Sequence, residues 1–222
     1  MELGKNRLEA LSDGVFAIAM TLLVLELHVP NLPPTAPNAQ VFPALLMLWP
    51  KFATYTVSFL TLGVFWVGHH VLYHGIRRAD RTLLWLNIIF FLLVSLLPFS
   101  TSVLNAFKQT QAALQFFGAN LTFIGWVLYA QFAYANSQPE MFAPFVSRDF
   151  RSTVHARFLT YPAVATFTML VCFWSVEISL GIYLLLLPIY MIPAGTRRSR
   201  SESMGSDDRG ETPADGSGSA PP

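Results

Sequence analysis

An all-α membrane protein with six transmembrane helices is the fold class that the sequence predicts, and three observations carry that prediction. Just over half of the 222 residues are apolar and only 12% are charged, a composition outside the range of ordinary soluble domains. Several apolar windows approach or exceed the roughly 20 residues that cross about 30 Å of hydrocarbon at about 1.5 Å per helical residue. Lys and Arg gather in short clusters between those windows, as they do at the ends of membrane helices. The net charge of +1 provides no field that would gather nucleic acid.

The first span covers residues 10–28. Lys5 and Arg7 ahead of an apolar run imitate a signal peptide, but Glu9 and Asp13 interrupt it and no small-residue cleavage site precedes the next charge, so the segment reads as a retained helix. Ile18, Leu22 and Leu25 follow i, i+4, i+7, and Thr21 lies three residues after Ile18. These four therefore share one helix face. Standing over a polar foot of Arg7, Ser12 and Asp13, the stripe reads either as the lining of a pore or as a packing seam. Gly14, Ala17 and Ala19 permit close helix contact and favour the seam on their own faces.

Pro30, Pro33, Pro34 and Pro37 make residues 30–43 an exposed loop. Pro50 suits the first turn of the second span, 50–74, where its missing N–H costs nothing. The third and fourth spans are 82–104 and 112–135; the fifth and sixth are 158–175 and 178–194. The last two are nearly continuous, so one long helix competes with a tight hairpin near Glu177.

Charge placement favours the hairpin. With the N-terminus inside and six crossings, Lys5, Arg7, Arg77, Arg78, Arg81, Arg148, Arg151, Arg157, Arg197, Arg198, Arg200 and Arg209 fall in the cytoplasm, and Lys51 and Lys108 fall outside. A merged helix would send the Arg197–Arg200 cluster outside and overshoot the bilayer. Residues 1–195 thus form a six-helix transmembrane domain with both termini cytoplasmic. Residues 196–222, rich in Ser, Gly, Pro, Asp and Glu, read as a disordered cytoplasmic tail, whose basic start is a stop-transfer flank or a contact for anionic lipid.

Since ionisable groups near a membrane need partners, the second span is expected to supply them to the foot through Trp66, His69 and His70, and the third through Asn87. Trp66 and His70 share a face at i, i+4. Arg7 is expected to pair with Glu9 or Asp13. Together Arg7, Ser12, Asp13, Trp66, His69, His70 and Asn87 read as a structural or proton-sensing hydrogen-bond network. A zinc site on His69, His70 and His74 is the alternative, but its remaining ligand would have to be Asp13 or Asp80, and no HExxH pattern supports it. The lone Cys172 excludes an intrachain disulfide and reads as a buried, inert thiol.

These residues carry a resemblance. Arg7-Leu-Glu-Ala-Leu11-Ser12-Asp13 continuing through Ile18, Thr21, Leu22 and Leu25 to Leu27 resembles the first helix of the transmembrane protein 175 family of potassium channels, whose signature is Arg, three residues, then Phe-Ser-Asp. Ser58-Phe59, Trp66-Val-Gly-His69-His70, Arg81-Thr-Leu-Leu-Trp85-Leu-Asn87 and Leu97-Pro98-Phe99 are similar too. The resemblance spans residues 5 to about 195 and is specific in its first half. Leu11 replaces the signature Phe, keeping apolar bulk but losing a ring.

The resemblance implies a prokaryotic homotetramer in the cell membrane, with the first helix of each six-helix subunit lining a central pore. By position relative to Ser12-Asp13, Ile18 then matches the apolar constriction and Thr21 a threonine layer, with Leu22 and Leu25 continuing the lining. The implied activity is passive, potassium-preferring conduction with no cofactor beyond the permeant ion, and lipid and monovalent cations as partners. No carbonyl-lined Thr-Val-Gly-Tyr-Gly filter occurs in the sequence, so selectivity must arise elsewhere. The rival readings are a proton-permeable or proton-coupled transporter, a scaffolding bundle, and a membrane-embedded enzyme with Asp13 as acid or base beside His70. No ionisable residue occupies the middle of the spans, which weighs against the transporter.

Overall fold

The computed structural model describes residues 5–28, 30–107, 110–138, 140–143 and 146–191. Lys108 and the expected tail, with Arg197, Arg198, Arg200 and Arg209, lie outside the described residues. Helix α1 (Lys5–Leu22) runs on through a short 3-10 turn, Leu23–Glu26. Leu8, Ser12, Phe16, Ala19 and Leu23 are its buried positions, spaced so that one face of α1 packs on the bundle.

The proline-rich segment is only partly a loop. Helix α2 (Asn38–Leu46) starts after Pro37, whose extended backbone serves as its N-cap. Pro43 sits inside α2 and removes one backbone donor, which a short exposed helix tolerates because water or headgroups can satisfy the freed carbonyl. Helix α3 (Trp49–Gly75) carries Pro50 in its first turn, as expected. Along α3 the buried positions Thr54, Ser58, Thr61, Leu62, Phe65, His69 and Leu72 recur at helical spacing.

Helix α4 (Arg81–Ala106) begins at Asp80, whose Oδ1 accepts the Leu83 N–H at 2.9 Å and whose other oxygen accepts the Tyr134 hydroxyl. Pro98 lies midway along α4. Beside it a buried polar layer ties three helices together: Thr101 donates to Ser58 Oγ at 2.9 Å, and Asn120 donates to Ser100 Oγ at 3.1 Å. Ser100 and Thr101 also bond back to the Leu97 carbonyl, a pattern that bends helices.

Helix α5 (Gln111–Ser137) is the central element, with 56% of its apolar window buried against 28% for the first span. Two glycines seven residues apart bring α6 (Arg148–Val171) and α7 (Val176–Met191) close to it. A Cβ on Gly118 would strike the Tyr183 hydroxyl, and one on Gly125 would lie 3.0 Å from the Tyr161 ring and 3.2 Å from Pro162. Gly125→Val is therefore expected to destabilise the fold by about 1–3 kcal/mol through overpacking. A thermal melt in detergent should show this drop but none for Gly181→Ala, whose Cβ meets open space.

Helices α6 and α7 form the expected antiparallel hairpin. Ser179 donates to the Thr168 carbonyl at 2.8 Å, while the Arg157 guanidinium donates to the Tyr190 carbonyl and sits over its ring. The turn falls at residues 172–175, a few residues before Glu177. Ser175 caps α7 by accepting the Ile178 N–H at 3.2 Å. Glu177, in the first turn of α7, is held below the usual carboxylate range by its own N–H and by the Ser175 hydroxyl.

The start of α6 differs from expectation. Helix α6 starts ten residues before 158, because charged residues rule out hydrocarbon but not helix formation. Four helices among the described residues, the spans Arg7–Glu26, Trp49–Gly75, Arg81–Ala106 and Gln111–Ser137, are long and apolar enough to cross a membrane. Helix α7 is apolar but shorter. At the end of the bundle where α3 stops, Ile76 and Phe142 form an antiparallel bridge, with Arg77 N–H donating to the Met141 carbonyl at 2.7 Å and Ala143 N–H to Gly75 at 2.9 Å.

Candidate pore face and polar foot

The four stripe residues of α1 have no place in the subunit core. Ile18 is 61% exposed and Leu25 66%, with Thr21 and Leu22 also exposed. The buried seam described above, with Ser12, Phe16 and Ala19, lies on the other side and packs α1 within the subunit. Leu11 joins the open face seven residues before Ile18, and Leu25 follows seven after; Gly14 and Ala17, exposed beside them, keep the strip narrow. The Thr21 hydroxyl donates to the carbonyls of Ala17 and Ile18, both at 2.9 Å. Its oxygen lone pairs remain available to whatever occupies that face.

At the foot, Ser12 and Asp13 point in different directions because consecutive helical residues are about 100° apart. Ser12 is buried and its Oγ lies 3.1 Å from His69 Nδ1. His69 Nε2 lies 2.8 Å from Asn87 Oδ1. An oxygen at Asn87 requires Nε2–H to donate, and in the neutral ring Nδ1 then accepts the Ser12 proton. His69 is stacked between Tyr73, 4.3 Å away, and Phe90, 5.2 Å away, with Phe16 and Phe91 on its flanks. Tyr73 in turn donates to Gln131 Oε1 at 2.9 Å.

Asp13 faces outward and accepts the Trp66 indole N–H at 2.9 Å. Trp66 stacks on His70 at 5.7 Å, and His70 on His74 at 6.4 Å, along an exposed face of α3. The structure therefore separates two histidines that the sequence reading grouped: His69 bonds Asn87, while His70 is on the Trp66 side. Arg7 is exposed at the same end of α1. No group of three His, Cys, Asp or Glu that could hold a metal occurs among the described residues. Asp80, a suggested zinc ligand, instead caps α4.

Tyr73, Gln131 and the partners of Ser58 in the polar layer, Ser100, Thr101 and Asn120, were not singled out from sequence. Tyr73 had a detectable signal, lying at i+4 from His69 and so on its face. The others depend on long-range pairing that spacing does not reveal.

Residues 7–98 match the family described as endosomal/lysosomal potassium channel TMEM175. A protein of Chamaesiphon minutus named as a potassium channel is 30% identical over 180 residues, covering 80% of this chain and 88% of its own length. The chain belongs to the TMEM175 family. TMEM175 membership makes it a multi-pass membrane protein of a channel family, not an enzyme, so the acid–base reading of Asp13 and His70 is set aside. A TMEM175 relative from Streptomyces collinus, also named as a potassium channel, is 41% identical over 108 residues; that match covers 49% of this chain and 51% of the relative. The fold agrees along nearly the whole chain. The crystal structure of a lysosomal potassium-selective channel TMEM175 homolog from Chamaesiphon minutus superposes with a TM-score of 0.75 at 27% identity, covering 86% of this chain and 98% of that one.

Proposed function

We propose that this chain assembles as a homotetramer in a prokaryotic plasma membrane and passes potassium passively, in preference to sodium, along an axis lined by α1. The observation that carries the reading is the open strip of Leu11, Ile18 and Leu25, spaced by sevens with Gly14 and Thr21 between, on the face opposite the locked seam. A seven-residue apolar repeat is the seam that lets like helices associate. One helix cannot enclose a pore, so symmetric copies must complete it. The names of the Chamaesiphon and Streptomyces relatives supply the ion.

In this assembly a ring of Ile18 side chains makes a narrow, weakly wetted neck, and Thr21 oxygens replace some of the ion's water. Potassium is less tightly hydrated than sodium and crosses the neck more readily. Small changes in the approach of the α1 helices wet or dewet the ring, which makes the neck a gate. The Ser12–His69–Asn87 chain fixes the rotation of α1 against α3 and α4, and so sets the pore radius without touching the ion. Both termini lie on the cytoplasmic side by the distribution of Lys and Arg.

The test is purified protein in liposomes with an outward potassium gradient. Potassium-driven flux above that of empty vesicles, and above the flux under an equal sodium gradient, is expected. Flux equal to empty vesicles would overturn the channel reading, and equal rates for the two ions would overturn the preference. Asp13→Asn tests the outer branch of the foot, since the amide oxygen still accepts the Trp66 N–H while the charge is gone. It is expected to change the flux; if the flux matches the parent's, the charge of Asp13 has no part in gating.

A further inference from the structure

The segment joining α1 to α3 has a composition that water does not explain. From Leu27 to Pro50 the chain runs 24 residues without Asp, Glu, Lys or Arg. None of the residues of α2 is buried. Phe42, Leu45, Leu46 and Trp49 fall at i, i+3, i+4, i+7, and the αR backbone at Met47 and Leu48 carries the helical path across the junction with α3. The four therefore share a face, and all four are exposed, Phe42 at 66% and Trp49 at 70%. Val41, Ala44 and Leu48, on the other side, are half-buried against the protein.

We propose that α2 and its junction with α3 form an interfacial membrane anchor, with the Phe42–Leu46–Trp49 face sunk into the headgroup and upper acyl region of one leaflet. The leaflet is the one away from the polar foot. Ser12 lies early in α1 and His69 late in α3, so residues between the two helices emerge at the opposite end of the bundle. Lipid is the occupant because the face continues into the exposed flank of α3 through Phe52 and Phe59, which covers the hydrocarbon region. Trp49 falls where an indole is favoured, at the boundary between headgroups and chains. Amphipathic helices of this kind bury their apolar face by about 5–10 Å. An uncharged segment offers a protein partner no complementary charge and meets lipid without desolvating an ion. The anchor stands whether or not the chain conducts.

The experiment uses the full chain in phosphatidylcholine vesicles, with Cys172→Ala removing the native thiol. An environment-sensitive fluorophore is attached at Phe42→Cys, at Leu46→Cys and, as an aqueous reference, at Thr35→Cys in the exposed part of the loop. Labels at 42 and 46 should be blue-shifted, strongly quenched by lipids carrying a nitroxide near the top of the acyl chain, and little affected by aqueous iodide; the label at 35 should behave in the opposite way. Iodide quenching at 42 and 46 as strong as at 35 would place the helix in water and overturn the anchor. Shielding from both quenchers would place the face against protein, a second copy of the chain for example, and would overturn it equally.

Discussion

We expect Ile18→Asn to raise cation flux in liposomes by about tenfold and to erase most of the difference between potassium and sodium. The barrier at an apolar neck is the cost of bringing a partly dehydrated ion past side chains that offer it no hydrogen bond. An amide at the same position offers both donors and an acceptor, holds water in the neck and lowers that cost. Each lowering of about 1.4 kcal/mol multiplies the rate about tenfold. Ile18 is mostly exposed and lies off the buried seam, so the subunit should fold and elute as the parent does. A scaffolding bundle would respond differently, losing assembly without gaining flux. Unchanged flux in a correctly assembled Ile18→Asn protein would remove position 18 from the ion path.

Much of the first helix was legible because period alone decides its faces. Spacing by threes and fours put Ile18, Thr21, Leu22 and Leu25 on one side, and the structure leaves that side open. Spacing could not say which of two adjacent histidines turns inward. His69 does so because Phe65 and Leu72, also buried, lie near it in helical phase, whereas His70 shares its face with the exposed Trp66 and His74. The early start of α6 was hidden for a related reason. A charged turn is a poor membrane segment yet a good helical one, and hydropathy reports only the first property. The α2 helix was obscured by prolines, although only Pro43 lies inside it. The polar layer of Ser58, Ser100, Thr101 and Asn120 joins α3, α4 and α5, and no single-sequence pattern pairs residues so far apart.

The second large effect is expected at His69. His69→Phe keeps an aromatic ring between Tyr73 and Phe90 but leaves the Ser12 hydroxyl and the Asn87 carbonyl oxygen without the partners they now have. Each buried polar group stranded in this way costs about 1–3 kcal/mol, so the substitution should remove about 2–6 kcal/mol, and the thermal midpoint in detergent should fall accordingly. Ser12→Ala strands only Nδ1 and should cost less. The Ser12–His69 coupling, measured by combining the two changes, is expected to be smaller still, at about 0.6–1.7 kcal/mol, because polar groups in a membrane find other partners when the protein unfolds. The flux assay separates a stabilising network from one that sets the pore. If the chain from Ser12 to Asn87 fixes the rotation of α1, His69→Phe should change flux while Gly125→Val, destabilising at a site on α5 remote from α1, should leave the flux per folded channel at the parental level. Equal flux changes in both variants would mean that the foot supports folding alone.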